Sequence, residues 1–231
     1  MHTQSLKQFQ NHGYSLIKSM YTIQEIEAIS TCLNNHSITE DIFAQRQLIN
    51  AIPKLKPLIF NSSLKALLQD RFKTKYHLTK AIYFNKPAHS NWFVAYHQDL
   101  SISVKNKVDI KHYSGWTNKH NQIGVIPPVS ILNNIITVRI HLDNTLVNNG
   151  ALRIIPNTHM NGILKLDVIQ NLKTKEIICE AKPGDTLIMS PLTLHSSNKS
   201  SSPLSRRIIH LEFSSLELHD PLEWLEKEAI I

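Results

Sequence analysis

From Tyr76 onward the chain is written in short runs rich in Ile, Val, Tyr and Thr, separated by Pro, Asn and Gly. Such runs are too short for helices and too apolar for loops, so they read as strands. They fall at Leu78–Phe84, Phe93–His97, Ile135–Leu142, Ala151–Ile155, Glu176–Glu180, Thr186–Met189 and Arg207–Phe213. Helical patterns do not alternate with them, which disfavours a parallel α/β sheet. Many short strands with polar turns specify a sandwich or barrel.

The first 75 residues have a different texture. Gly13-Tyr14-Ser15-Leu16-Ile17 reads as one short strand, and the rest is mostly helical. Thr22 stands three residues before Glu25, a capping-box pair, and Ile23, Ile26, Ile29 and Leu33 follow on one helical stripe. Ser62 or Ser63 is expected to cap a second helix carrying Leu64, Leu67 and Leu68, beyond the breaks at Pro53 and Pro57. No linker-like segment or internal repeat interrupts the chain. The expectation is one domain over 1–231, with a helical flank over about 1–75, a β core over about 76–215 and a tail over 216–231.

Composition narrows the class by exclusion. With 42% hydrophobic and 19% charged residues, the 231-residue chain is too apolar to be disordered. No apolar stretch approaches the ~18 residues of a membrane span. The 25 basic and 18 acidic residues leave a net charge of +7, but the basic residues are scattered. No basic stripe interleaved with aromatics concentrates them, so neither a nucleic-acid partner nor a membrane is expected. Cys32 and Cys179 stand far apart with no Cys-x-x-Cys spacing, and read as buried thiols of a cytoplasmic protein. The amino terminus begins polar, without the apolar core of a secretion signal.

Chemistry concentrates at Tyr96-His97-Gln98-Asp99. Residues two apart on a strand project to the same face, so the His97 imidazole and the Asp99 carboxylate can reach one point. Together they would supply two ligands of a two-histidine, one-carboxylate triad, which leaves open positions on Fe(II). The bland alternative is a strand-end histidine hydrogen-bonded to an aspartate. His195 closes the apolar run that follows the turn Pro183-Gly184-Asp185, where a strand would turn it inward. Arg206 begins the next strand and could grip a carboxylate with both arms.

In these residues the chain resembles the phytanoyl-CoA dioxygenase family of Fe(II)/2-oxoglutarate-dependent oxygenases. The resemblance rests on His97-Gln98-Asp99, on the segment Asn149-Gly150-Ala151-Leu152-Arg153-Ile154-Ile155-Pro156-Asn157-Thr158-His159, on the Pro-Gly-Asp turn, and on His195 with Arg206. Asn157 replaces the glycine usual in that segment; asparagine tolerates the left-handed backbone better than most residues. The resemblance implies a mainly β fold with flanking helices, a double-stranded β-helix (jelly-roll, cupin-like) barrel. It implies Fe(II) held by His97, Asp99 and His195 as the catalytic centre, with 2-oxoglutarate and O2 as co-substrates. Arg206 would bind the distal carboxylate of 2-oxoglutarate, with Ser197 and Asn85 assisting, while Arg207 would face the other way. The implied reaction hydroxylates an unactivated C–H bond of a small-molecule or acyl substrate, releasing succinate and CO2. Retention of Asp99 implies hydroxylation and not halogenation, since related halogenases carry a small residue there.

Further expectations concern the substrate. The strand Thr137–Asp143 alternates, placing Arg139 and His141 on one face, where the resemblance would have them meet substrate or co-substrate. His141 and His210 lack a carboxylate at ligand spacing, and His159 is expected to close a turn. The polar stretch Ser103–Asn134 reads as a long loop, which with Trp92 and Trp116 would form a lid and substrate wall. Two other readings stay open: a non-catalytic binding or regulatory module on this fold, and a cupin-like metalloenzyme that does not use 2-oxoglutarate.

Overall fold

A computed structural model describes residues 2–36, 43–86, 93–119, 122–172, 175–201 and 206–230. The amino-terminal flank contains helix α1 (Thr3–His12), strand β1 (Tyr14–Ile17), α2 (Ile23–Asn34), β2 (Ala44–Arg46), α3 (Leu48–Ala51), α4 (Leu55–Ile59) and α5 (Ser62–Phe72). There follow β3 (His77–Lys86), β4 (Val94–His97), β5 (Ile102–Val104), β6 (Ser114–Lys119), β7 (Gln122–Ile126), α6 (Val129–Asn134) and β8 (Ile136–His141). Then come β9 (Leu152–Ile155), α7 (Leu166–Asn171), β10 (Ile177–Cys179), β11 (Thr186–Met189), β12 (Leu194–Ser197), β13 (Arg206–Ser214) and β14 (Glu228–Ala229).

Two antiparallel sheets make the jelly roll. The larger runs β1-β11-β8-β13-β3-β14, with β2 also paired to β3; the smaller runs β10-β9-β12-β4. Alternation along the larger sheet separates two environments. Its outer face, including Val138, Ile140, Ile209 and Leu211, forms one core with Ile26 and Ile29 of α2 and with Leu64 and Leu67 of α5. Its inner face turns toward the smaller sheet, and Leu187 and Met189 of β11 pack there on Leu152 and Ile154 of β9. The same inner face carries Arg139, His210 and Glu212, all buried. Polar side chains there have no reason to be buried except chemistry or a mutual network.

Helix α2 begins as its sequence requires: Thr22 accepts from the Glu25 amide and Glu25 from the Thr22 amide. The cap of α5 differs from expectation by one residue. Asn61, not Ser62 or Ser63, accepts from the Leu64 amide at 2.9 Å, because an asparagine carbonyl reaches N3 as well as a hydroxyl does.

The amino-terminal helix is fastened to the smaller sheet. At its end Gly13 has φ 83°, and a Cβ there would stand 2.4 Å from Thr193 Oγ1, so only glycine fits. The Gly13 carbonyl accepts from the Ser190 amide at 2.8 Å and from Thr193 Oγ1 at 2.8 Å. Asn157 takes the left-handed backbone expected of it, φ 68°, and its amide donates to the His12 carbonyl at 3.0 Å. His159 Nε2 lies 3.0 Å from the Gln10 carbonyl, so this histidine ties the segment to α1.

The stretch 103–134 is the main departure from the expected loop. Its described part forms a three-stranded sheet, β5-β7-β6, followed by α6. Ile102, Val104 and Val125 build a second core with Leu132, Leu222 and Trp224. Among the described residues no helix is long and apolar enough to cross a membrane.

Candidate metal centre

Strands β4 and β12 are neighbours in register, with His97 directly opposite His195. Cross-strand partners share a face, so the two imidazoles meet, with ring centroids 4.3 Å apart. Strand β4 ends at His97, and Asp99 lies just past it. There the Asp99 amide donates to the Pro191 carbonyl at 2.9 Å, which swings the carboxylate back to the histidines. Asp99 Oδ1 lies 3.4 Å from His97 Nε2, and Oδ2 lies 3.6 Å from His195 Nε2. One potential ligand atom from each residue falls within 4.8 Å of the other two.

The tautomers suit a metal. His97 Nδ1 lies 2.9 Å from the Ala95 carbonyl and His195 Nδ1 lies 2.9 Å from the Thr193 carbonyl. A carbonyl only accepts, so each Nδ1 carries a proton and each Nε2 is turned to the shared centre. Burial pushes His195 down to about 4, against the pull of Asp99, and keeps it neutral. Burial opposes ionisation of Asp99, but His195 and the hydrogen bond with His97 outweigh it and hold the carboxyl well below its ordinary range. Burial lowers His97, but the hydrogen bond with Asp99 and its charge outweigh burial and raise it above its ordinary value, so a metal would displace a proton there. Two imidazoles and one carboxylate are the donor set for a borderline divalent ion such as Fe(II).

Gln98, between the two ligands, faces away and works as a brace that sequence reasoning assigned no task. Its Nε2 donates to the carbonyls of Gly162 at 2.8 Å and Leu192 at 2.7 Å, and its Oε1 accepts from the Leu164 amide at 2.8 Å.

A cavity of about 250 Å³ opens on the triad and is also lined by Arg139, Ser197, Arg206 and His210. Phe84, Val94, Leu152 and Ile208 supply its apolar wall. Arg206 is buried, and its Nη1 donates to the Gly150 carbonyl, which also accepts from Ser197 Oγ at 2.9 Å. Burial, with Arg139 nearby, lowers the Arg206 guanidinium to about 9. Arg139 Nη1 lies 3.2 Å from His210 Nδ1, while His210 Nε2 lies 3.1 Å from Glu212 Oε1. Lys80 Nζ holds the same Glu212 oxygen at 2.8 Å. Arginine can only donate, so His210 accepts at Nδ1 and donates from Nε2. This chain spans β8, β13 and β3 and fixes the Arg139 guanidinium beside the metal point. The Nε atoms of both Arg139 and Arg206 are buried without a hydrogen-bond partner among the described residues. Buried orphaned donors are rare, and two on one cavity call for an acceptor.

Other residues singled out in the sequence lie elsewhere. Asn85 faces opposite to Arg206, because Arg206 pairs with Lys86 and Asn85 with Arg207. Arg207 is turned from the cavity as expected and engages Asp143, with Nη2 to Oδ1 at 2.7 Å. His141 is buried on the inner face but does not line the metal cavity; its Nδ1 lies 2.8 Å from Thr145 Oγ1. Burial, then the Arg139 and Arg206 charges, push His141 down to about 3. Trp116, expected as a substrate wall, points the other way. Gly115, Thr117 and Lys119 of β6 face the open side, so Trp116 between them packs on the second core. Trp92 lies outside the described residues.

A jelly roll that brings two histidines and a carboxylate to one point on its inner face is a metal-enzyme scaffold. The family model described as phytanoyl-CoA dioxygenase (PhyH) matches residues 9–208. The chain belongs to that family. No curated protein sequence matches the chain. Among solved structures it is similar to SnoK, a non-haem α-ketoglutarate-dependent carbocyclase from nogalamycin biosynthesis. That match has a TM-score of 0.72 and 13% identity, over 94% of this chain and 85% of the other. EctD from S. alaskensis, with 2-oxoglutarate and 5-hydroxyectoine, matches with a TM-score of 0.71 and 14% identity, over 96% and 79%. HygX from Streptomyces hygroscopicus, with nickel and 2-oxoglutarate bound, matches with a TM-score of 0.66 and 14% identity, over 93% and 86%. At these identities the similarity is one of fold.

Proposed function

We propose that the protein is an Fe(II)- and 2-oxoglutarate-dependent dioxygenase that hydroxylates an unactivated C–H bond of a small molecule. The observation that carries this reading is the pair of buried arginines, Arg139 and Arg206, that line the same cavity as the triad, each with an Nε donor that has no partner among the described residues. A dicarboxylate that also chelates the metal answers both needs: one end for Arg206, the other at the ion. The donor set fits iron, and SnoK, HygX and EctD, similar in fold, include a ketoglutarate-dependent enzyme and proteins solved with 2-oxoglutarate.

His97, Asp99 and His195 would hold the iron, and Arg206 with Ser197 would hold the distal carboxylate. Iron and 2-oxoglutarate, when bound, supply the oxidising power of O2, with succinate and CO2 as products. The protein supplies position and an apolar wall. Phe84, Leu152 and Ile208 form that wall, against which bound co-substrate and substrate would displace water. The Lys80–Glu212–His210 chain holds the Arg139 guanidinium against the cavity without consuming its Nε. Asp99 occupies the position at which a halogenase would need room for a halide, which supports hydroxylation over chlorination. Carbocyclase and epimerase activities, named for SnoK and SnoN of this fold, are the competing outcomes.

The test is anaerobic titration of the Fe(II)-loaded protein with 2-oxoglutarate, followed in visible absorption. Succinate is then quantified by NMR after O2 is admitted. Wild type is expected to bind 2-oxoglutarate and release succinate. Arg206→Gln should bind it at least about thirtyfold more weakly, as removal of one partner of a buried charge pair does. No binding by wild type, or equal binding by the variant, overturns the reading.

A further inference from the structure

A second, larger chamber of about 450 Å³ adjoins the metal cavity. Phe84, Asp99 and His210 line both, so the two spaces meet at the metal ligand that points between them. One wall is the inner edge of β3, with Lys80 and Ile82; the other is the β6–β7 hairpin. Alternation sorts that hairpin cleanly. Thr117, Lys119, Gln122 and Gly124 face the chamber, while Trp116, Ile123 and Val125 face the second core. The hairpin is therefore amphipathic between a core and a cavity, and, apart from Ile126, polar or glycine toward the cavity. Gln98, Ser101 and Ser103 continue the polar lining.

Among the described residues the charges lining the chamber do not balance. Three cations, Arg46, Lys80 and Lys119, stand there against two carboxylates, Asp99 and Glu212. Both carboxylates are committed: Asp99 to the metal point, and Glu212 to Lys80 and His210. Arg46 and Lys119 make no ion pair among the described residues. Two cations with no ion pair among the described residues, on a concave and largely polar wall, favour a negatively charged ligand over a long acyl chain.

We infer that this chamber is the substrate site of the oxygenase, and that its substrate is a polar small molecule bearing a carboxylate or phosphate held by Arg46 and Lys119. The inference rests on the oxygenase reading and narrows it to a substrate class.

The test uses nickel-loaded protein saturated with 2-oxoglutarate, so that Arg206 is already occupied. Ligand-observed NMR compares charged probes with neutral counterparts of similar size: N-acetylserine against N-acetylserinamide, and glucose 6-phosphate against glucose. The acid or the phosphate is expected to bind at least about tenfold tighter than its neutral partner, in line with charge-assisted hydrogen bonds. Whichever anion wins identifies the anionic group. The exposed Lys119→Gln change should shrink the preference and Arg46→Gln/Lys119→Gln should remove it, with 2-oxoglutarate affinity unchanged. Neutral probes binding as tightly, a preference that survives the double variant, or no binding of either anion overturns the inference. Failure of the nickel protein to hold 2-oxoglutarate is seen before any probe is added and strikes the oxygenase reading itself.

Discussion

His97 and His195 face each other across β4 and β12 with their rings 4.3 Å apart, and each donates its Nδ1 proton to a carbonyl two residues earlier in the chain. The backbone thus sets both the position and the tautomer of the two imidazoles. Replacing His195 by alanine is expected to weaken Ni(II) or Fe(II) binding by more than about a hundredfold, beyond the loss typical of outer-shell changes. Anaerobic calorimetry reads it, and a metal affinity within tenfold of wild type would remove His195 from the ligand set.

Gln98 joins three chain segments through one amide, and leucine in its place keeps the volume but none of the bonds. Two carbonyls and one amide would lose their partner. Gln98→Leu is expected to lower stability by about 2–4 kcal/mol and metal affinity by about 10- to 100-fold. Chemical denaturation and metal titration on the same preparation separate the two effects. Unchanged metal affinity would mean that the brace serves the fold alone.

At the Pro183-Gly184-Asp185 turn, Gly184 has φ 87° and a Cβ there would lie 2.3 Å from the Tyr21 carbonyl oxygen. Gly184→Ala combines backbone strain with a clash against main chain, which cannot step aside. A loss of more than about 2 kcal/mol is expected. A thermal midpoint equal to wild type would contradict it.

Glu226 is buried next to the Ala81 amide, which donates to its Oε1 at 3.3 Å. Burial raises this carboxyl from 4.5 to about 7, more than that hydrogen bond and Lys80 lower it. The folded state therefore binds the proton more tightly than the unfolded state. Stability from this group is complete below pH 4.5 and is lost as pH rises toward 7, by up to about 3 kcal/mol. Glu226→Gln should unfold at a higher temperature than wild type at pH 8 and at nearly the same temperature at pH 4.5. A pH-independent difference would show that Glu226 is not the group responsible.

Much of the fold was legible because its strands are buried runs whose neighbours in sequence are turns. Ile136–His141 and Thr186–Met189 are buried at every position, and their apolar content betrays them. Strand β6, Ser114-Gly-Trp-Thr-Asn-Lys, has no such signature. Its only large apolar side chain packs on a core assembled from the distant residues Leu222 and Trp224, while its other face is polar toward a chamber. Periodicity cannot reveal a strand whose one large apolar side chain packs on residues a hundred positions away. The triad residues were legible for a local reason, since His97 and Asp99 are neighbours and His195 ends an apolar run. Their supports were not. Whether Asn85 or Lys86 shares a face with Arg206 depends on the register of β3 against β13, and the Lys80–Glu212–His210–Arg139 chain exists only because β3, β13 and β8 lie side by side.

Thr193 links two regions that look unrelated. Its hydroxyl donates to Gly13 at the end of the amino-terminal helix, and its carbonyl takes the ring proton of His195. Trimming the chain before residue 14, a routine step toward better-behaved protein, would therefore release one side of the metal ligand's own anchor. A shortened variant that folds yet binds iron weakly would be reporting the missing helix, and its low activity should not be charged to the wrong substrate.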